Sequence, residues 1–389
     1  SESIRFLGAL SINLIFIAQR RFSLLVVKIK LIDKAPRNLI DSDDLPEYMG
    51  VGDVEDVAEI FHTPLTGSYN WDYTVQDNRI KKLYELGKKL NWNSEVDINW
   101  DRPESHLQSP PPIFWDDYEP YAKMDDQQKM KFLRHRQAWS MSQFLHGEQG
   151  ALLVASQLTS CAPTFNAKLY AASQTFDEAR HVEAFNKYIQ TRVGLMYPIG
   201  NALKSILDKI LTDPRWDLKF IGMQLIIEGL ALAAFRTSRD LTPDPVLRDM
   251  LDLIIRDEAR HVTFGINYLE EFVQTLSEKE IEERAQFAYE ACYLSKERLV
   301  SIDVYDHFGW DIEEARQFQL NSEIMQTFQK LLFQRVMPNL SRIGLLTDSV
   351  RPKFDDLGLL EYEHEPSDAD IDWADLSRPL FSETAELAP

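Results

Sequence analysis

The stretch Leu225-Ile226-Ile227-Glu228-Gly229-Leu230-Ala231-Leu232-Ala233-Ala234-Phe235 is hydrophobic around every face of a helix and carries a single acid. A helix of that kind lies inside a protein, so Glu228 is expected in the core. Leu253-Ile254-Ile255 leads in the same way into Asp257-Glu258. Proline marks where the helices stop: Thr242-Pro243-Asp244-Pro245 ends the helix holding Glu228, and Cys161-Ala162-Pro163 ends an earlier one holding Glu148. Residues 200–211 read as a short linking helix and Ile80–Leu90 as an isolated one. In 278–308 and 311–346, separated at Gly309, charged and apolar residues alternate at helical spacing and predict two flanking helices. The expected class is all-α.

The helices are written twice. Asp177-Glu178-Ala179-Arg180-His181-Val182 returns eighty residues later as Asp257-Glu258-Ala259-Arg260-His261-Val262. Glu148 and Glu228, Pro163 and Pro243, and Tyr188 and Tyr268 are offset by the same eighty, so the chain holds an internal duplication. From Glu148 to the break at Pro163 a helix climbs about 22 Å at ~1.5 Å per residue, and the descent to Glu178 is equal. Glu148 and Glu178 therefore meet at one level of an antiparallel hairpin, with His181 on the face of Glu178. Glu228, Glu258 and His261 repeat the arrangement. Two such hairpins face to face form a four-helix bundle with four carboxylates and two imidazoles at mid-height. Acids beside arginine are commonly a solvated helix face, but the apolar flanks of Glu228 and Glu258 argue for burial. Four bare carboxylates cannot share a dry core, and two divalent cations resolve the conflict. Oxygen-rich ligation with one imidazole per metal suits iron or manganese better than zinc.

In the order Glu, Glu-x-x-His, Glu, Glu-x-x-His, the chain resembles the carboxylate-bridged ferritin-like superfamily, which includes ribonucleotide reductase small subunits, bacterial multicomponent monooxygenases and single-chain di-iron oxygenases. The resemblance covers roughly residues 127–277. It implies a ferritin-like bundle in which Glu148, Glu178, His181, Glu228, Glu258 and His261 bind two iron ions, or a manganese–iron pair, and activate O2. It also implies that Asp177 and Asp257 accept hydrogen bonds from the ligand histidines, a role that fixes the tautomer; an ordinary ion pair with a neighbouring arginine is the alternative. Tyr188 and Tyr268 lie two turns past their histidines, on the same face, where they either hydrogen-bond within the core, relay electrons or simply pack; Tyr170, two turns before Glu178, has the same options.

Residues one turn from the ligands separate the subfamilies. Tyrosyl-radical reductases carry a tyrosine four residues past the first histidine, where this chain has Phe185, and often an Asp as first ligand, where it has Glu148. Methane-type monooxygenases carry a Thr one turn past the second-half Glu; here it is Leu232. Arylamine N-oxygenases use an extra histidine on the second half's first helix or its neighbour. The other histidines, His62, His106, His135, His146, His307 and His364, do not fall there, and His146 should point away from the face of Glu148. The resulting expectation is a di-iron oxygenase acting by hydroxylation, N-oxygenation, desaturation or oxidative C–C cleavage. A groove lined by residues such as Phe144, Phe176, Phe235 and Phe264 would suit a small apolar or aromatic substrate. The alternatives are a ribonucleotide reductase small-subunit-like radical generator and a ferroxidase or iron-handling protein. The well over a hundred residues outside the bundle favour a substrate enzyme over the last.

Composition narrows the partners. A net charge of −20 makes nucleic acid an unlikely ligand and leaves an external electron donor, such as a ferredoxin or reductase, as the expected protein partner, with a homodimer possible. Cys161 and Cys292 make no disulfide framework, which suits the cytoplasm. Residues 1–39 form a basic, apolar arm whose apolar run, Phe6 to Ala18, is shorter than the ~20 residues that span a bilayer; it packs on the bundle or a second subunit, or attaches to a membrane surface. Residues 40–126, with Trp71, Trp92 and Trp100 as packing anchors, are expected to cap one end of the helical domain at 127–346. The acidic tail, 347–389, reads as solvated and partly disordered from Asp355 onward, with Trp373 and Phe381 as isolated aromatics, or as a docking segment for a basic partner.

Overall fold

The computed structural model describes residues 60–74, 77–103, 109–111 and 113–370, and all regular structure among them is helical. We number the helices α1 (Asn78–Lys89), α2 (Asp126–Cys161), α3 (Phe165–Tyr188), α4 (Asn201–Thr212), α5 (Trp216–Leu241), α6 (Pro245–Val273), α7 (Glu278–Glu297), α8 (Ile302–His307), α9 (Ile312–Asn321), α10 (Glu323–Arg342) and α11 (Arg351–Asp356). Local chemistry sets the ends. Asp125 caps α2 by accepting from Gln128 N at 2.8 Å while Gln128 Oε1 accepts from Asp125 N at 3.0 Å. Ala162, before Pro163, is extended (ψ 136°), the conformation proline imposes on its predecessor. The second half stops in the same way at Thr242, and Asp244 with Pro245 at the first helical position starts α6.

The two hairpins, α2–α3 and α5–α6, pack into the expected bundle, and α3 also meets α6. Within α5, residues Phe220–Ile227 form a widened π-helical segment directly before Glu228; such segments often sit at functional sites. Helix α4 lies against both halves. A Cβ at Gly150 would come within 2.5 Å of Leu207, and one at Gly222 within 2.6 Å of Ile210, so both helices need glycine where α4 crosses. Although α5 has the length and apolarity of a membrane span, 94% of its most apolar window is buried in the fold.

The structure changes three expectations. Each C-terminal helical stretch is divided in two, at Ser301 and at Ser322, whose hydroxyl accepts from Met325 N at 3.3 Å and restarts the helix as α10. The tail from Asp355 is not solvated as far as residue 370. Leu359, Tyr362 and Asp368 are buried, and Asp368 pairs with Arg335 and accepts from Asn339 Nδ2 at 3.0 Å. The apolar residues that anchor it are spaced too irregularly among acids to stand out in the sequence. Trp373 and Phe381 lie outside the described residues, as does the 1–39 arm. Third, the segment before the bundle does not simply cap one end: Trp71 is exposed, whereas Trp92 is buried at the level of the duplicated motifs.

Candidate metal centre

The six residues singled out by the duplication converge. Helix α2 supplies Glu148, α3 Glu178 and His181, α5 Glu228, and α6 Glu258 and His261; all six are at most 5% exposed. Their ligand atoms form two overlapping groups, Glu148–Glu178–His181–Glu258 and Glu178–Glu228–His261, each with its atoms within 4.8 Å of one another. His181 Nδ1 lies 3.0 Å from Glu148 Oε2, 3.2 Å from Glu178 Oε2 and 3.2 Å from Glu258 Oε1. His261 Nδ1 lies 3.1 Å from Glu178 Oε1, 3.7 Å from Glu228 Oε2 and 3.8 Å from Glu258 Oε1. Glu178 and Glu258 thus stand between the two imidazoles.

Around this cluster runs a ring in which the halves cross. His181 Nε2 lies 3.2 Å from Asp257 Oδ2, and His261 Nε2 lies 3.2 Å from Asp177 Oδ2. Each aspartate also serves both arginines of the motif. Arg260 Nη2 donates to Asp177 Oδ2 at 3.0 Å and to Asp257 Oδ1 at 2.5 Å, and Arg180 donates to Asp257 Oδ2 at 3.2 Å and to Asp177. The tautomer-fixing and ion-pair readings of Asp177 and Asp257 therefore both hold geometrically. With each Nε2 turned to an aspartate, each Nδ1 faces the carboxylates.

Two participants escaped the sequence reading. Trp92 Nε1 donates to Asp257 Oδ2 at 2.7 Å, its ring stacks over His181, and Arg180 sits 4.7 Å from the ring centre. Gln174, one turn before Glu178, donates from Nε2 to Glu228 Oε1 at 2.7 Å and Glu178 Oε1 at 3.2 Å. A polar residue at a ligand's own helical face was the available signal for Gln174; Trp92 offered none, because its contacts lie far away along the chain.

Electrostatics show what the cluster needs. Burial, reinforced by the neighbouring glutamates, pushes the carboxyls of Glu148, Glu228 and Glu258 above the usual range. Burial acts the same way on Glu178 but is outweighed by His261 and His181, and its carboxyl lies well below that range. Burial opposes charge on both imidazoles, yet they are held well above the ordinary histidine value, His181 by Asp257 and the glutamates, His261 by Glu178, Glu228 and Asp177. Glu228 Oε2, Glu258 Oε1 and His261 Nδ1 are buried with no hydrogen-bond partner. Unpartnered polar atoms gathered at one place in a core are what a pair of cations would satisfy, and the ligand set of oxygens and imidazole nitrogens without sulfur fits iron or manganese.

The other predicted residues fall outside the cluster. Tyr188 OH donates to Asp244 Oδ2 at 3.0 Å, and Tyr268 OH to Thr164 Oγ1 at 3.2 Å; each ties its helix to the start of another, at the level of the proline breaks. Tyr170 is buried with its hydroxyl unpartnered. The four phenylalanines do not line one groove. Phe144 and Phe235 meet at 4.9 Å and are joined by Phe185, whereas Phe264 packs on Tyr170 and Phe176 is 57% exposed. The histidines outside the motifs stay away from the cluster among the described residues: His146 Nε2 bonds Tyr197 O at 2.9 Å, and His135 stacks on His307.

The sequence family described as P-aminobenzoate N-oxygenase AurF matches residues 74–344, a span that contains all six converging residues. Among solved structures, the R2-like ligand-binding oxidase with aerobically reconstituted metal cofactor after photoconversion is 19% identical over 71% of this chain and 95% of that one, with a TM-score of 0.46. A Glu-to-Asp variant of that oxidase with aerobically reconstituted Mn/Fe cofactor is 18% identical over 71% of this chain and 95% of that one, with a TM-score of 0.47. No curated protein sequence matches.

Proposed function

Since this chain belongs to the p-aminobenzoate N-oxygenase AurF family and is a di-metal oxygenase acting on an organic substrate, we propose that its buried Glu/His cluster is the catalytic centre and that the substrate is an aromatic amine. The family match spanning the duplicated motifs carries the reading. Glu148, Glu178, His181 and Glu258 would hold one metal ion and Glu178, Glu228 and His261 the other. When bound, such an iron pair, or a manganese–iron pair, would supply the redox chemistry by which O2, two electrons and two protons give one oxygen atom on the substrate and one water.

The chain's own residues provide the rest. Asp257 and Asp177 each hold the Nε2–H of a histidine from the other half, so both Nδ1 lone pairs point inward. Arg180 and Arg260 each pair with an aspartate of the other half and offset its charge in the core. The apolar walls exclude water that would otherwise quench the oxidant. Phe144, one turn before Glu148, and Phe185, one turn after His181, pack edge-on or tilted with Phe235 of the Glu228 helix, an apolar cluster that supports an apolar or aromatic substrate. Among the described residues the centre has two histidines and no third, so the ligand set within the family is the six residues named. The two electrons that balance the reaction come from an external donor such as a ferredoxin or reductase. The buried free thiols of Cys161 and Cys292 suit the cytoplasm, and a homodimer is the assembly we propose.

The test is turnover of p-aminobenzoate and uncharged anilines by iron-loaded protein with reductant and ¹⁸O2. Product carrying one labelled oxygen on nitrogen supports the reading. No labelled product from any arylamine, while another class of organic substrate is oxygenated, would remove the substrate assignment and leave the oxygenase.

A further inference from the structure

The duplication makes it possible to ask where the two halves of the centre differ. The ring of Asp177, Arg180, His181, Asp257, Arg260 and His261 is duplicated contact for contact. The residues one turn before the glutamates are not. The position eighty residues after Gln174 is Ile254, and the position eighty before Gln224 is Phe144.

Gln174 and Gln224 are both fully buried and form a ladder. Gln224 Nε2 donates to Gln174 Oε1 at 3.4 Å, and Gln174 Nε2 donates to Glu228 and Glu178. The backbone of α6 holds Gln224 in place, since a Cβ at Gly265 would stand only 2.6 Å from Gln224 Cβ. In the other half, Ile254 and Phe144 have no side-chain N–H to give. Glu258 Oε1 and Glu148 Oε2 lie 3.2 and 3.0 Å from His181 Nδ1, itself a metal-binding candidate, and no amide from the preceding turn reaches either carboxylate. A metal ion on His181 Nδ1 would take that nitrogen from Glu148 and Glu258.

We propose that Gln174, braced by Gln224, is a positioning residue that divides the centre into a pinned half, Glu178, Glu228 and His261, and a mobile half, Glu148, Glu258 and His181. Carboxylate rearrangement and metal exchange belong to the mobile half. The inference rests on the metal-centre reading above, and its test separates the two.

Full-length protein is loaded anaerobically with two equivalents of iron(II) and mixed with excess ferrozine, and release is followed by absorbance. The native protein should give two phases of one equivalent each, the pinned ion leaving slowly. Gln174→Met, which keeps volume and removes the amide, should speed the slow phase about 10-fold, the scale on which loss of a ligand's supporting hydrogen bond weakens metal binding, and leave the fast phase unchanged. General loosening of the fold would instead speed both phases and lower the melting temperature of the metal-free protein. Gln224→Met leaves the contacts to the glutamates in place and should speed the slow phase by a smaller factor; it carries the test if Gln174→Met does not fold. Single-phase release of both ions from native protein, or a slow phase unmoved in the variants, would overturn the division. Binding of fewer than two ions by native protein would overturn the ligand assignment itself.

Discussion

Trp92→Phe isolates a side-chain hydrogen bond that the outer ring receives from outside the duplication. The indole N–H reaches Asp257 Oδ2 at 2.7 Å in a site where both residues are buried. A hydrogen bond to a charged acceptor contributes about 1.5–3 kcal/mol. Phenylalanine retains a ring over Arg180 and His181, and Asp257 Oδ2 keeps its contacts with Arg180 and His181, so no buried carboxylate is left bare. The loss should therefore fall near the low end, about 2 kcal/mol. Trp92→Ala also removes the packing and should cost about 3–5 kcal/mol. Denaturant unfolding of the metal-free protein measures both. Because Asp257 orients His181, Trp92→Phe should also weaken metal binding, by about 10-fold. If Trp92→Phe unfolds with the native midpoint and binds metal as tightly as the native protein, the indole N–H contributes nothing and Trp92 is only a packing anchor.

Three other perturbations follow from the same geometry. Glu148, Glu228, Glu258, His181 and His261 are all shifted upward, which favours their protonated forms in the metal-free protein. Ligands bind metal deprotonated, so loading must release protons and apparent affinity must rise with pH; calorimetry in buffers of different ionisation enthalpy should report net release, and uptake or none would contradict the assignment. Gly222→Ala places a Cβ 2.6 Å from Ile210 and should cost about 1–3 kcal/mol of stability, read by thermal unfolding, with metal content per folded chain unchanged. Tyr188→Phe removes a hydrogen bond to Asp244 and should lower stability by about 1 kcal/mol while leaving turnover per metal pair intact; a selective loss of turnover would restore an electron-relay role.

The bundle and its six inward residues were legible because duplication, helical spacing and proline breaks all point to the same level of the same helices. The crossing of the halves was not. Helix periodicity places Asp177 beside His181 on its own helix, but only the packing of α3 against α6 brings Asp177 to His261 and Asp257 to His181. Trp92 and Gln224 were hidden for related reasons: one lies in irregular chain far from its partner, and the other is an amide within an apolar run, where side-chain direction depends on the widened turn that precedes Glu228. The breaks at Ser301 and Ser322 and the buried Asp368 were missed because they turn on single caps and a single ion pair, features without period.

Metal content per chain, by elemental analysis of the native protein and of Glu178→Ala, Glu148→Ala and Glu228→Ala, tests the central claim most directly. Glu178 belongs to both ligand groups, Glu148 and Glu228 to one each. The account predicts two iron or manganese ions in the native protein, loss of stoichiometric binding at both positions in Glu178→Ala, and one ion retained in each of the other variants. Fewer than two ions in the native protein, or both retained by Glu178→Ala, would contradict it.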